Sequence, residues 1–291
     1  MTMQNLSTPA AGLARKGDSS IGGLLLESGK ITPENAERVL RMQKELGIRF
    51  GEAAQRLGLI TEQDIQQVLA RQFDYPYLQK GEAKFSAQLS AAYEPFSPQV
   101  ETLRAVRSQL MLRWFARGRK ALALAGVDGG DGVSMFAANL AVVFSQLGEN
   151  TLLVDGNLRR PRQGEIFDLK GRQGLSDVLA GRADQQAIAR IDSFVSLSVL
   201  GAGTLPPNPQ ELLNRGNFAS LNGEFEAAYD VVLYDTAALA DGADALAIAA
   251  RAGGVLLVIR RNKTLLADVK AMTEQFQNSG AEVVGSVMVD F

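Results

Sequence analysis

The sequence predicts an α/β fold, a mostly parallel sheet with helices on both faces, preceded by a small all-α repeat domain. Three observations predict it. From Ala121 onward short β-rich runs alternate with longer helical stretches, the first of these runs ends in a glycine-rich turn that opens a helix, and residues 20–80 realign on themselves. Alternation of this kind places parallel strands under helical layers, and at 291 residues the chain has room for both modules. An apolar content of 46% with 21% charged residues suits a chain that buries a sizeable core.

Composition narrows the chemistry. There is no Cys and no His, which removes disulfides, Cys/His zinc sites, thiol nucleophiles and imidazole bases together. Carboxylates, hydroxyls, Lys, Arg, backbone N–H groups and a hard metal remain. A formal charge of −2 gives no global case for a nucleic acid polymer. Apolar runs such as Val255 to Ile259 fall far short of the roughly 20 residues that span a bilayer, so no direct membrane insertion is expected. Residues 1–19 mix Ser, Pro, Gly and charges without the apolar stretch of a signal peptide, and are expected to be a disordered leader on a cytoplasmic protein.

The repeat comes next. Ser20-Ile21-Gly22 realigns on Arg49-Phe50-Gly51, a shift of 29 residues, and Gly29 then meets Gly58, Ile31 meets Ile60, Thr32 meets Thr61, Leu40 meets Leu69 and Gln43 meets Gln72. In each copy a short apolar helix stops at the glycine. Thr32 or Thr61 then caps the next helix, with Pro33 at its first position in copy one and Asp64 three residues after Thr61 in copy two. This pattern resembles the N-terminal domain of type II secretion and pilus ATPases, the MshEN fold, whose relatives bind cyclic di-GMP. The motif positions are Arg49, Phe50, Gly51, Gly58, Ile60, Ile65, Leu69 and Gln72 in copy two, and Ile21, Gly22, Leu25, Gly29, Ile31, Leu40 and Gln43 in copy one, where Ser20 stands in place of the arginine. The resemblance implies that Gly22, Gln43, Arg49, Gly51 and Gln72 hold the dinucleotide. Such residues suit it, because glycine admits a phosphate to the backbone, arginine pairs with phosphate or stacks on guanine, and glutamine offers an amide.

Tyr75, Pro76, Tyr77, Pro95 and Pro98 break any helical period, and residues 81–100 are expected to link the repeat domain (20–80) to the α/β domain (101–291), partly packed through their aromatics. Arg104, Arg107, Arg113, Arg117, Arg119 and Lys120 follow with no acid among them, as on a solvated or subunit-facing helix. Strands are expected at Ala121–Ala125, Thr151–Asp155, Val195–Leu200, Asp230–Tyr234, Gly254–Arg260 and Val283–Val289, with a helix from Met135 to Leu147. Ligands of such sheets sit at the carboxyl ends of the strands. After the first strand, Gly126 to Ser134 forms a glycine-rich turn into a helix, a loop that aims backbone N–H groups at an anion. Its ending, Gly132-Val133-Ser134, is that of a P-loop with valine at the lysine position. Asp155 and Asp235 each end an apolar strand, where a P-loop protein holds Mg²⁺ and its water shell.

Leu153-Val154-Asp155-Gly156-Asn157-Leu158-Arg159-Arg160-Pro161 resembles the second Walker motif of bacterial tyrosine kinases, hydrophobic-Asp-x-Asp-x-Arg. The segments Gly174 to Gly181 and Ala202 to Leu213 are similar to that family as well, and Glu101-x-x-Arg104-x-x-Arg107 resembles the helical motif through which these kinases pack into rings. From Phe96 to Phe291, and with the N-terminal repeat, the chain looks like the EpsG-type chain-length-determinant kinases of exopolysaccharide biosynthesis. The resemblance implies a P-loop NTPase-type fold, ATP and Mg²⁺ as cofactors, and tyrosine phosphorylation. It also implies a homo-oligomer on a membrane chain-length determinant of the Wzz type, so the chain would lie peripheral to the inner membrane through that partner. It implies Gly129, Gly130, Asp131, Gly132, Val133, Ser134 and Met135 around ATP, and Ser134, Asp155 and Asp235 at the metal. Asp155 becomes the candidate base, Asp235 and Asn157 complete the catalytic set, and Glu101, Arg104 and Arg107 take the subunit contact.

This sequence departs from the family pattern at Val133, which cannot neutralise phosphate, and at Asn157, which lacks the second aspartate's charge. The family's third motif has prolines that Asp235-Thr236-Ala237-Ala238 lacks, and no tyrosine follows Tyr234. Arg119, Lys120 or a neighbouring subunit's arginine are the expected substitutes for the lysine. Two function classes follow: an ATP-dependent tyrosine kinase, and a catalytically impaired regulatory or scaffold subunit of the export machine. A partitioning or cell-division ATPase would need a lysine where Asp128 stands.

Overall fold

A computed structural model describes residues 20–72, 78 and 83–290, without the side chains of Gln63, Arg71 and Gln72. The expected leader, the aromatics Tyr75 and Tyr77 and the Gln72 side chain therefore lie outside the described residues. The chain forms two compact units, Met1–Pro76 and Tyr77–Phe291.

The first unit is the repeat, helix–turn–helix twice: α1 (Ile21–Glu27), α2 (Pro33–Leu46), α3 (Phe50–Arg56) and α4 (Glu62–Gln72). Gly29 and Gly58 take φ of 67° and 68° at equivalent turns, the left-handed geometry that stops a helix. Thr32 accepts from the Asn35 N–H at 3.2 Å to cap α2. Thr61 and Asp64 form a reciprocal box at the start of α4, N–H to carboxylate at 2.8 Å and N–H to hydroxyl at 3.2 Å. Leu25, Ile31, Val39, Ala53, Ala54, Ile60 and Val68 make its core.

The second unit begins before the sheet. Leu89, Ala91 and Ala92 are wholly buried, and Asn139 accepts the Ala91 N–H at 2.8 Å. The stretch expected as a linker thus packs into the α/β core from residue 83 onward, with a short helix, α5 (Ser90–Tyr93). Proline spacing concealed this, because small buried residues carry no periodic signal in so short a helix. Pro98 does not break structure either; it is the first residue of α6 (Pro98–Arg113), which Ser97 caps.

The sheet has seven strands in the order β3-β4-β2-β5-β1-β6-β7. They are β1 (Ala121–Ala125), β2 (Thr151–Asp155), β3 (Ala189–Arg190), β4 (Leu197–Leu200), β5 (Val231–Asp235), β6 (Gly254–Arg260) and β7 (Glu282–Val289). All pairings are parallel except β3 with β4, the one edge strand that the pattern did not predict. Two residues are too few to show alternation. The fourth strand starts at Leu197 rather than Val195, which is 80% exposed. β1, β2 and β5 are buried along their whole length, as strands covered on both faces must be. One apolar layer joins α7 (Val133–Gln146) and Trp114 to Leu122, Leu124, Leu153 and Leu233. On the other face, Ala123, Leu152, Val232 and Leu257 pack under α11 (Gly216–Ala228), α12 (Asp244–Ala252) and α13 (Leu266–Asn278). The shorter α8 (Gln163–Ile166), α9 (Leu175–Leu179) and α10 (Pro209–Asn214) fill the connections. The segments starting at Gly174 and Ala202 pack on each other, with Leu175 N–H donating to Gly201 O at 2.8 Å and Ser176 N–H to Ala202 O at 2.9 Å.

Candidate functional site

The site follows from strand order. β1, β5 and β2 are successive neighbours, so the loop after β1 and the terminal carboxylates of β5 and β2 meet at one edge of the sheet. Gly130 and Gly132 take φ of 92° and 80°, a geometry open to glycine at little cost. Gly132 caps α7 without a side-chain acceptor, leaving the first-turn N–H groups of α7 available to an anion. Asp131 pins the loop from inside: its wholly buried carboxylate accepts the Asp128 N–H at 2.8 Å and pairs with Lys263 at 3.2 Å. Val133 is the first residue of α7, two places earlier than the pattern suggested, and its side chain is buried in the core.

Asp155 and Asp235 are register partners on β2 and β5 and both are wholly buried. Asp155 accepts backbone N–H groups from Arg162 at 3.0 Å, Gln163 at 2.9 Å and Asn157 at 3.3 Å. Asp235 accepts the Gln163 amide at 2.8 Å through Oδ2. Burial pushes the Asp155 carboxyl above the usual carboxylate range and the charge of Asp235 pushes it further, against the pull of those N–H groups. Asp235 is raised by burial too, opposed by the Gln163 amide, the Ser134 hydroxyl and Arg162.

A hard divalent cation fits this pair. Asp235 Oδ1 is a buried acceptor with no donor among the described residues, and two adjacent buried carboxylates beside a hydroxyl form an oxygen set of the kind Mg²⁺ takes. Ser134, Asp155 and Asp235 are the residues that would hold it. A nucleotide fits as well. Residues Gly129 to Met135 line a cavity of about 720 Å³ together with Asn157, Thr236 and the arginines Arg160, Arg162 and Arg260.

Asn157 is held by the turn after β2. Its Oδ1 accepts the N–H groups of Arg160 at 2.9 Å and Arg159 at 3.4 Å, so it shapes the turn after β2. Arg119 and Lys120 cannot replace a loop lysine. They precede β1, at the opposite end of the strand, where Arg119 lies over the Trp114 ring at 5.5 Å and Lys120 donates to Tyr229 O at 3.0 Å. Sequence reasoning missed Gln163, Arg260 and Lys263. Arg260 ends β6, so the rule that ligands gather at strand ends could have found it; Gln163 carried no comparable signal.

The other predicted residues are scattered. Arg104 pairs with Glu101 at 2.8 Å and also donates to Pro95 O, while Arg107 donates to Val143 O on α7; Glu101 is the exposed member. In the repeat unit Arg49 is exposed and Gln43 half-buried. Gly22 and Gly51 do not line an open cradle: an added Cβ would stand 3.3 Å from the Phe50 ring and 3.0 Å from Ile65 Cδ1, so these glycines let helices approach.

The family model described as cellulose biosynthesis protein BcsQ matches residues 119–263. Tyrosine-protein kinase YwqD of Bacillus subtilis is 32% identical over 206 residues, 71% of this chain and 87% of that protein. The solved kinase domain of Escherichia coli tyrosine kinase ETK superposes with a TM-score of 0.68 at 26% identity, covering 75% of this chain and 85% of the other. Of the Ralstonia EpsB relatives, 34% and 33% identical over 199 residues, the chain spans 26% of the length. With the buried carboxylate pair, the phosphate loop and these likenesses together, the chain belongs to the bacterial tyrosine-protein kinase family.

Proposed function

We propose that this chain binds MgATP and acts as a tyrosine-kinase-like component that controls chain length and export in exopolysaccharide biosynthesis. The observation that carries the reading is the buried Asp155–Asp235 pair, with an unsatisfied carboxylate oxygen, facing a glycine-rich helix N-terminus. Bound Mg²⁺ supplies positive charge to the phosphates and to this pair. The loop N–H groups and Ser134 position the phosphates, Gln163 orients Asp235, and Asp155, beside the metal, is the candidate base for the proton of a tyrosine hydroxyl. The likeness to a cellulose biosynthesis protein supports the polysaccharide setting. The proposed partners are a membrane chain-length determinant of the Wzz type and further copies of this chain through the α6 face; no helix among the described residues is long and apolar enough to cross a membrane. Cyclic di-GMP is the proposed regulator at the N-terminal repeat.

The test is a calorimetric titration of the full chain with ATP, with and without Mg²⁺. Tight binding that requires Mg²⁺ is expected; no binding in either case overturns the reading. A specific observation favours a second reading, a catalytically impaired regulatory subunit: Val133 is built into the core and Asn157 is engaged by backbone. Nucleotide binding without tyrosine phosphorylation in single turnover would select it.

A further inference from the structure

We propose that Arg260, at the carboxyl end of β6, supplies in the same chain the positive charge that the phosphate loop lacks at Val133. This assignment rests on the MgATP reading. β6 is the parallel neighbour of β1, with Leu257 opposite Ala125, so the end of β6 stands over the loop that leaves β1. From there Arg260 Nη1 donates to the carbonyl of Gly130 at 2.9 Å. That carbonyl belongs to the left-handed middle of the loop, between Gly129 and the start of α7.

Three arginines line the cavity, and their partners separate them. Arg160 is paired with Asp241 at 3.3 Å and Arg162 with Glu165 at 3.1 Å. Arg260 has no carboxylate partner among the described residues and bonds a neutral carbonyl, so its charge is not offset. A guanidinium also has donors to spare: one N–H on Gly130 leaves several for phosphate oxygens in a forked geometry. Lys263, three residues on, has a complementary role. Its ammonium meets Asp131 at 3.2 Å, neutralising the buried carboxylate of the loop, which would otherwise repel phosphate. The turn that carries both is fixed by Thr264, whose Oγ1 accepts the Arg260 N–H at 3.1 Å. Arg260 therefore adds net positive charge at the cavity, and Lys263 removes a negative one.

The experiment compares the full chain with Arg260→Ala, Arg260→Lys, Val133→Lys and the double variant Arg260→Ala/Val133→Lys, by titration with a fluorescent ATP analogue and with AMP in Mg²⁺ buffer. Losing a charge-assisted contact should weaken ATP binding roughly 10- to 100-fold, with AMP affinity changed far less and a shallower salt dependence. Arg260→Lys should keep part of the affinity, and Val133→Lys should rescue Arg260→Ala. Melting temperatures without nucleotide, expected to match the parent for Arg260→Ala, separate folding from binding. A parent that binds ATP and an Arg260→Ala variant that binds it equally well overturn this assignment alone. A parent that binds no nucleotide overturns the MgATP reading, and this assignment with it.

Discussion

Asp235→Asn should stabilise the nucleotide-free protein while destroying its response to Mg²⁺. Asp155 and Asp235 face each other across adjacent strands and both are wholly buried. Strands lie about 4.8 Å apart, so two charges there repel by about 3 kcal/mol at an effective dielectric near 20. That figure is an upper bound, because proton uptake by the pair relieves part of it. An asparagine removes the repulsion and replaces the orphaned Asp235 Oδ1 with an amide donor. Gln163 Oε1, also buried without a donor, belongs to the amide that already bonds residue 235. The pH dependence follows from the direction of both shifts. Folded carboxyls raised above their unfolded values contribute stability that is fully present below about pH 4 and lost as pH rises through the folded range. In metal-free buffer the parent's melting temperature should therefore fall between pH 4 and 8, and that of Asp235→Asn should fall less. At pH 8 the variant should melt about 2–10 °C higher, at roughly 2–4 °C per kcal/mol for a unit of this size. Adding Mg²⁺ with ATP should raise the parent's melting temperature and leave the variant's unchanged. Scanning calorimetry reads both. A variant less stable than the parent at pH 8 without metal, or one with an intact Mg²⁺ response, would refute the reasoning.

Three further outcomes are expected. Val133→Lys should cost about 1.5–3 kcal/mol of nucleotide-free stability through lost apolar burial, yet speed single-turnover phosphate release, by less than the roughly thousandfold that a wholly missing charge would allow, because Arg260 supplies part of it. Combined with Asn157→Asp, which keeps an acceptor for the Arg159 and Arg160 N–H groups, it should be faster than either single variant; a parent as fast as the pair shows that the loop lysine is dispensable. Glu101→Lys places like charge against Arg104, its present partner at 2.8 Å, and should shift any oligomer toward monomer in light scattering; a parent that is monomeric at high concentration removes the ring from consideration. Ser20→Arg should tighten cyclic di-GMP binding in calorimetry while costing about 1 kcal/mol of stability, because Ser20 Oγ caps α1 by accepting the Gly23 N–H at 3.2 Å; no binding by either form leaves the repeat as a packing module.

What the sequence disclosed and what it hid divide along physical lines. β1, β2 and β6 were legible to the residue because parallel strands buried along all or most of their length read as apolar runs bounded by turn formers and polar ends. The repeat was legible because Gly29 and Gly58, then Thr32 and Thr61, are local punctuation whose meaning does not depend on distant contacts. The segment from residue 83 to 97 was not, since Ala91 and Ala92 owe their burial to elements distant in sequence, α7 among them. Gly22 and Gly51 show the same limit from the other side. A glycine required for close helix packing is spelled like a glycine that admits a phosphate, and only the nearby Phe50 ring and Ile65 methyl distinguish the two.

The loop at Gly126 to Ser134 raises a sharper point about motifs. Its shape is set by the left-handed turns at Gly130 and Gly132, by the Asp131 carboxylate on the Asp128 N–H, and by an apolar side chain at Val133 packed into the core. None of these needs a lysine. The charge that a lysine would bring is a separate quantity, and it acts through space rather than along the chain. Arg260 is 130 residues from Gly130 in sequence and in contact with it in the fold. Sheet order makes such a replacement possible, since β5 and β6 flank β1 and all three deliver their ends to one crevice. Any strand end there can carry the charge without disturbing the loop. Substitution at the lysine position therefore removes one means of neutralising phosphate, and whether the protein has another is decided by the ends of the neighbouring strands.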